Sequence, residues 1–537
     1  MDRVIEYART LGGSAYAKIK ECLQGSLVCR VVVRFVRWLY AVYVQSVLYA
    51  FLMGLVQLFA NAYADSKTRR VLIGKGGIER FAETSGVYRV SGKIIGRFLA
   101  FCTSLAEKVS LGIRDSRLAK LYEALFARSF YDNYTAFTAF VCVFIFIIPH
   151  NFWSNMFGML FAAVLFVLYV AACTAKEKKK HPGTNFGALW FSFLMFGFSL
   201  LVSCVVSYDR ADSIRVLLFF ITSFMLCLSV YAAVRSTKDL NVVGAFMYAA
   251  LLFTSVLAFV QRLTGLEADA ALTDMNLNEG MPGRVFSTLG NPNNYAEFLV
   301  LFMPFAFAFA LNHEKGSRLR RGLIIGMLLP LAAILLTYSR SGWIALAIAA
   351  IIFIMLYDKR MIPLAIGIGL CLVPFIPQSI WNRILTIGNL KDTSSSYRVD
   401  IWTGCLAMLK DHWYTGVGLG TGGFAEIYPS YAVGSSGIAP HSHMHFMEML
   451  IELGPLGFVS YIYLTFSLIR RSFVAASHRV SAGVRVYAIA SAASMTGIVL
   501  IGCFEYCWFY PRVMFAFFIC AGLAMAISRL GKTMVDR

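Results

Sequence analysis

Residues 318–360 read RLRRGLIIGMLLPLAAILLTYSRSGWIALAIAAIIFIMLYDKR. Two apolar runs, 321–339 and 341–357, each have the roughly 17–25 residues a helix needs to cross a bilayer. Arg318, Arg320 and Arg321 precede the first run, and Lys359-Arg360 follow the second. Loops rich in Lys and Arg stay in the cytoplasm, so this hairpin starts and ends inside. Its turn, Thr337-Tyr338-Ser339-Arg340-Ser341-Gly342-Trp343, therefore faces outward and carries an arginine at the membrane surface. A snorkelling interfacial anchor and a functional cation are both open readings of Arg340.

The same grammar extends in both directions. Apolar stretches lie near 132–150, 155–174, 187–206, 214–233, 242–262, 294–312, 361–378, 444–469, 485–503 and 508–528, making twelve with the first two. Every even-numbered gap is basic: Lys176 to Lys180, Arg235 with Lys238, the two gaps already quoted, Arg470-Arg471 with Arg479, and Arg529, Lys532 and Arg537. The rule puts those gaps, and both ends of the twelve-span unit, in the cytoplasm. Two outward gaps are long, 263–293 and 379–443, and loops of that size are usually functional.

The whole chain agrees. Of 537 residues, 58% are apolar and 15% charged, against roughly 25% charged in a soluble domain. This excludes a soluble enzyme, a disordered tail and a fibrous repeat, and leaves an all-α polytopic membrane protein, since lipid demands that backbone groups be paired within the span. The excess of 49 Lys+Arg over 29 Asp+Glu is read as cytoplasmic loop charge and not as nucleic-acid binding. Twelve cysteines, among them Cys142, Cys173, Cys204 and Cys371, show no metal or disulfide spacing and read as free buried thiols. No signal-peptide layout opens the chain.

Residues 1–130 differ, with 20 basic against 9 acidic residues. They read as a basic cytoplasmic or membrane-surface segment, with residues 131–537 as the twelve-span domain. Within 38–64, Ser46, Ala50, Gly54, Gln57 and Asn61 make one small or polar face between basic flanks. Helices on the anionic inner leaflet fit that pattern; a further crossing or a packed helical pair are the alternatives.

Ionisable groups near membrane depth cost too much to be incidental. Besides Arg340, three constellations stand on the outer side. Gly283-Arg284 through Gly290-Asn291-Pro292-Asn293-Asn294 closes the first long gap with a turn and a helix cap, where Arg284 and nearby amides can meet an anion. Tyr397-Arg398-Val399-Asp400-Ile401-Trp402 places Arg398 and Trp402 on one helix face. Pro440-His441-Ser442-His443-Met444-His445 leads into Glu448 and Glu452 and gathers three of the eight histidines. Histidine is the natural general base near neutral pH, and any of the three can serve. A zinc set is not evident, since there is no HExxH. Gly416-Val417-Gly418-Leu419-Gly420-Thr421-Gly422 lacks the βαβ context of a dinucleotide fingerprint and reads as a tight turn or a nest of amides for an anion.

In this order the motifs resemble the O-antigen ligase and polymerase family of bacterial envelope glycan assembly, across roughly 132–528. The resemblance rests on 290–293, Ser339-Arg340-Ser341-Gly342, Arg398 to Trp402, Asp411 with Gly416-Val417-Gly418, and His441 to Gly454. The chain departs from it at His412-Trp413, where the family carries proline, and at Met444, where it carries asparagine. The resemblance implies a GT-C-like fold in a bacterial plasma membrane. It implies an undecaprenyl-diphosphate-linked glycan as donor, a glycan or lipid-linked acceptor, membrane lipid around it, and neither cofactor, metal nor nucleic acid. On it, His443 is the base, and Arg340 and Arg398 are catalytic cations at the diphosphate. Arg284, Asn291, Asn293, His441, His445 and Glu452 bind substrate, with Glu452 holding an arginine or the histidine. Ligase and polymerase are not separated by sequence. A transporter or flippase of lipid-linked glycan is the alternative from another class, against which stands the absence of paired Gly/Pro-broken helices in matching halves.

Overall fold

The computed structural model describes residues 27–73, 84–114, 116–117, 120–121, 124, 130–172, 189–266, 283–389, 392–434, 436–477 and 480–535. Among these no strand occurs. Described residues within Met1–Ser66 and Asp358–Phe375 form one compact unit, and those within Lys67–Tyr357 and Ile376–Arg537 another. The expected N-terminal segment thus contributes to both.

In the smaller unit, helices α1 (Leu27–Val44) and α2 (Val47–Asp65) follow one another, with Ser46 capping α2 by accepting the Tyr49 amide at 3.1 Å. The Tyr43 hydroxyl donates to the Pro363 carbonyl at 2.5 Å, and Lys359 Nζ to Gln57 Oε1 at 2.7 Å. Of the polar stripe of α2, Gln57 is thus met by Lys359, while Gly54 faces open space. By length and composition α2 can cross a membrane.

The larger unit begins with α3 (Lys67–Ile73) and α4 (Gly86–Arg114). It continues with α5 (Phe130–Ile147), α6 (Met156–Ala172), α7 (Leu189–Val206), α8 (Arg210–Ala233), α9 (Thr237–Thr264) and α10 (Pro292–Leu311). The opening hairpin of the sequence is α11 (Arg318–Gly326) and α12 (Leu328–Leu336), one span with a break at Met327, then α13 (Arg340–Asp358). The stretch 361–378 is interrupted. Helix α14 (Met361–Leu372) belongs to the smaller unit, and Pro377 precedes a separate helix α15 (Gln378–Leu385), because proline cannot continue the preceding turn. Three further long helices, α18 (His445–Ser477), α19 (Ala482–Ile501) and α20 (Pro511–Val535), follow the short α16 (Thr393–His412) and α17 (Thr421–Ile427) of the longest gap.

Among the described residues eleven of the twelve apolar stretches fall on a helix, and 361–378 is broken. Eight are long and apolar enough to cross a membrane, and α2 is a ninth; the first three are shorter apolar helices. The chain is an all-α polytopic membrane protein. Residues 173–188, which hold the first basic gap, and 267–282 lie outside the described residues, as does Cys173. Cys142 is buried and Cys204 partly so, whereas Cys371 is exposed, correcting the expectation for that thiol.

Helix α10 is central, packed on α9, α19 and α20. Four short segments meet at one end of these helices: 283–291 before α10, 337–339 before α13, 440–444 before α18, and 502–510 between α19 and α20. At the other end arginines cap helix C-termini: Arg529 donates to Tyr231 and Val234 carbonyls, and Arg485 to Leu356, at 2.5–2.9 Å.

Close packing of α19 on α10 gives a test. A Cβ on Gly497 would stand 2.7 Å from Val300 Cγ1, whereas one on Gly322 meets nothing within 4 Å. Gly497→Val should destabilise the detergent-solubilised protein by about 1–3 kcal/mol, read as a lower thermal midpoint, and Gly322→Val should leave it unchanged.

Candidate active site

Each of the converging segments is shaped by its own residues. Asn291 caps α10 by accepting the Asn293 amide at 2.8 Å, and Pro292 fits the first helical position, whose amide has no helical acceptor. Gly290 precedes the cap at φ +76°, and a Cβ there would lie 2.4 Å from the His150 ring, so only glycine fits. Ser287, Tyr338 and His443 adopt φ of 50–52° without being glycine. One such residue in each of three site segments is backbone strain collected where the segments meet.

Arg284 is buried. Its Nε donates to the Thr337 carbonyl at 2.8 Å and its Nη2 to Asn293 Oδ1 at 2.7 Å, which ties the α10 turn to the α13 turn. Asn293 Nδ2 donates onward to Glu505 Oε1 at 2.9 Å. Arg398 on α16 donates to the same carboxylate oxygen. The other oxygen, Oε2, is 3.6 Å from His443 Nδ1. Glu505 is thus shared by an arginine, an asparagine and a histidine from three separate segments.

Arg340 and Arg383 make a second group. Arg340 donates to Asp392 Oδ2 at 2.7 Å and to the Thr386 carbonyl at 3.0 Å. Arg383 on α15 donates to the Tyr338 carbonyl at 3.3 Å and stands 3.9 Å from Asp392 Oδ1. The four arginines, Asn293, Ser339, Ser341, Trp402 and Glu505 line one cavity of about 330 Å³. Four guanidinium groups face two carboxylates, so the cavity is electropositive and suited to a doubly charged anion.

Burial lowers the Arg284 pKa to about 9, with repulsion from Arg383 adding to it. Burial works against charge on Glu505, but Arg398 and then His443 outweigh it and hold the carboxyl at about 2. Burial, then the neighbouring His443, pushes His441 down to about 3.

The histidines part company. His443 stands beside Glu505 with its side chain 23% exposed. Its own amide donates to His441 Nδ1 at 3.1 Å, and the two rings are 4.2 Å apart. His441 is buried against Phe509 and Tyr506. His445 is buried among Tyr461, Tyr506 and Trp508, and its amide bonds Gly502 and Glu505 carbonyls. Its ring does not line the arginine cavity.

Glu452 does not hold an arginine or a histidine. Its carboxylate accepts the Gly420 amide at 2.9 Å, fully buried, and Glu448 accepts the Ser442 amide at 2.6 Å. Within the glycine run at 416–422, the Gly420 amide meets the Glu452 carboxyl from α18, and the Gly422 amide meets Asp212. Val417 and Gly418 amides also bond Ile451 and Glu452 carbonyls, just before the kink at Gly454-Pro455. Trp402, on one helix face with Arg398 as expected, donates to the Ser442 carbonyl at 3.0 Å and braces the histidine segment.

Sequence reasoning missed Glu505, Arg383 and Asp392. Glu505 carries a signal: it is the sole acidic residue between Arg485 and Ser528, set among apolar and aromatic neighbours. Arg383 and Asp392 had none, lying in the polar-looking part of the longest gap.

Residues 325–462 match the family model described as O-antigen ligase. Over those residues the chain is similar to the O-antigen ligase family. The match spans Arg340, Arg383, Arg398 and all three histidines, while Arg284, Asn293 and Glu505 lie outside it and complete the same cavity. It supports glycan transfer of the O-antigen ligase kind in general. No curated protein matches the chain.

The shifted groups set the acid limb of stability. An unfolded histidine titrates near 6.5 and an unfolded glutamate near 4.3. The unfolded chain binds more protons than the folded one at His441 between about pH 6.5 and 3, and at Glu505 between about pH 4.3 and 2. Both contributions are therefore lost as pH falls through those windows. The thermal midpoint should drop between pH 7 and 4, and His441→Gln should flatten that slope. Glu505→Gln should cost roughly 3–5 kcal/mol already at pH 7, because Arg398 loses its buried partner.

Proposed function

We propose that the chain transfers a glycan from an undecaprenyl-diphosphate donor to an acceptor hydroxyl at the outer face of a bacterial plasma membrane. The reading is carried by one observation: four arginines from four segments converge on a cavity whose wall, through Glu505, abuts His443. Orientation follows from the basic gaps, which put both termini in the cytoplasm and the cavity end of the helices outside.

The diphosphate sits among Arg284, Arg340, Arg383 and Arg398, whose planar donors match phosphate oxygens. His443 accepts the acceptor hydroxyl proton as that oxygen bonds to the anomeric carbon. The bond from that carbon to the diphosphate oxygen breaks with inversion, and undecaprenyl diphosphate leaves with the electron pair. The arginines stabilise the charge that grows on the leaving oxygen. Glu505 orients His443 through Nδ1 and favours the imidazolium formed, taking the place of the family's asparagine at Met444. Of the three histidine candidates His443 is assigned as the base, because it is part-exposed beside Glu505 while His441 and His445 are buried among aromatic rings. Asn291 and Asn293 position the turn, and no step uses a metal or cofactor.

Full-length protein in liposomes, given undecaprenyl-diphosphate glycan from the host envelope and its membrane acceptors, should release lipid diphosphate as glycan is transferred. His443→Ala should lose roughly 10²–10⁴-fold in rate, and Arg398→Lys should lose rate while His445→Phe retains it. Wild type that binds the donor and moves it across the bilayer without transfer would make the protein a flippase.

A further inference from the structure

The arginine cavity is one of a pair. A second cavity of about 360 Å³ is lined by the next residues along the same two segments: Asn294 and Tyr506, where the first has Asn293 and Glu505. The segments 293–294 and 505–506 therefore divide the two. The histidines connect them, since His443 stands at Glu505 while the His441 ring lies 4.5 Å from Phe509, which lines the second cavity.

Its chemistry differs from that of the first. Trp153, Tyr506, Trp508, Phe509 and Tyr510 supply aromatic rings, and Asn155, Asn294, Asp212, Arg215 and Thr421 supply hydrogen-bonding groups. The charges nearly cancel: Asp212 pairs with Arg215, and Arg512 stacks on Trp153 at 4.1 Å. Two Arg512 nitrogens are spent on the Thr288 and Ile148 carbonyls. Its third, Nε, is buried and has no hydrogen-bond partner among the described residues. Arg512 as a whole is 4% exposed and lines the cavity. Rings that take the C–H face of a pyranose, with planar amides, guanidinium and carboxylate for its hydroxyls, suit a neutral sugar. Such a site is ill-matched to a diphosphate, which wants the four arginines, or to a polyprenyl chain, which has no use for the polar groups. Asp212, Arg215 and Thr421 also line an adjoining cavity with Asp209 and Gly422, so a chain of sugars can run on past the first.

Resting on the transfer reading, we infer that the second cavity is the acceptor subsite and that it takes an uncharged pyranose-containing glycan. An inverting displacement needs the acceptor oxygen on the face of the anomeric carbon away from the leaving diphosphate. Two cavities divided by the Asn293–Glu505 wall, with His443 beside it, meet that need.

The test places a photoreactive benzophenone residue at Asn155 or Arg215 in the second cavity, or at Val399 in the arginine cavity, in the full chain within host membranes. Irradiated protein is digested, and adducts are read by mass for hexose units and for phosphate. Adducts at 155 and 215 should carry sugar without phosphate, and adducts at 399 should carry phosphate. Trp153→Ala should cut the yield at 155 about tenfold and leave the yield at 399 unchanged. Phosphate-bearing adducts at 399 alongside lipid-only or no adducts at 155 and 215 would overturn the acceptor subsite and spare the transferase. Phosphate-bearing sugar at 155 and 215 would put the donor there and overturn it too. Absence of sugar and phosphate at all three positions would defeat the transfer reading, and the subsite with it.

Discussion

The site depends on one buried carboxylate. Glu505 sits in a short segment between the last two long helices, and three cationic or polar groups from other parts of the chain close on it: Arg398, Asn293 and His443. A carboxylate so placed is costly unless every partner is present, and removing one partner is far worse than never having had the pair. The consequence is geometric. Asn293 is fixed by Asn291 and Arg284, Arg284 by the Thr337 carbonyl, and the histidine segment by Trp402 and Glu448. Side chains from positions more than 200 residues apart are held in one register.

A second constraint keeps the cavity electropositive. Arg340 and Arg383 share Asp392, and Arg398 shares Glu505 with neutral Asn293 and with His443. Two carboxylates are enough to let four guanidinium groups approach one another and too few to neutralise them. Arg284, with no carboxylate of its own, shows the strain of that bargain: burial and Arg383 lower its pKa to about 9, which still leaves it charged at neutral pH. An anion is what the cluster lacks.

Much of this was legible in sequence because lipid simplifies the rules. Spans are long apolar runs, and among the described residues eleven of the twelve expected stretches fall on a helix. Arg284, Arg340 and Arg398 stood out because a guanidinium beside apolar runs has few innocent explanations. What could not be read is pairing across the fold. Glu452 looked like a partner for an arginine or the histidine, yet it accepts from the Gly420 backbone amide, as Glu448 does from that of Ser442. An amide is invisible in sequence as a partner, since every residue but proline has one. Arg383 and Asp392 were hidden for the opposite reason: in a loop of mixed polarity a charged residue carries no cost and draws no notice.

The glycine run shows how the two levels join. A tight turn or a nest of amides was expected at 416–422, and its Gly420 amide is taken by a carboxyl of the chain itself, Glu452. Gly416 can hold φ +72° and pass 2.6 Å from the Ile451 carbonyl as measured from where a Cβ would be; any other residue would push α18 away. Gly454, at φ 62°, kinks α18 two residues after Glu452. The kink, the nest and Glu452 thus form one interlock at the foot of the histidine segment. Because Glu448 lies one turn above in the same helix and holds Ser442, the height of His443 over the cavity is set by where α18 is pinned. The glycine run thus pins the helix that carries the histidine segment and, through Gly420 and Thr421, borders the second cavity.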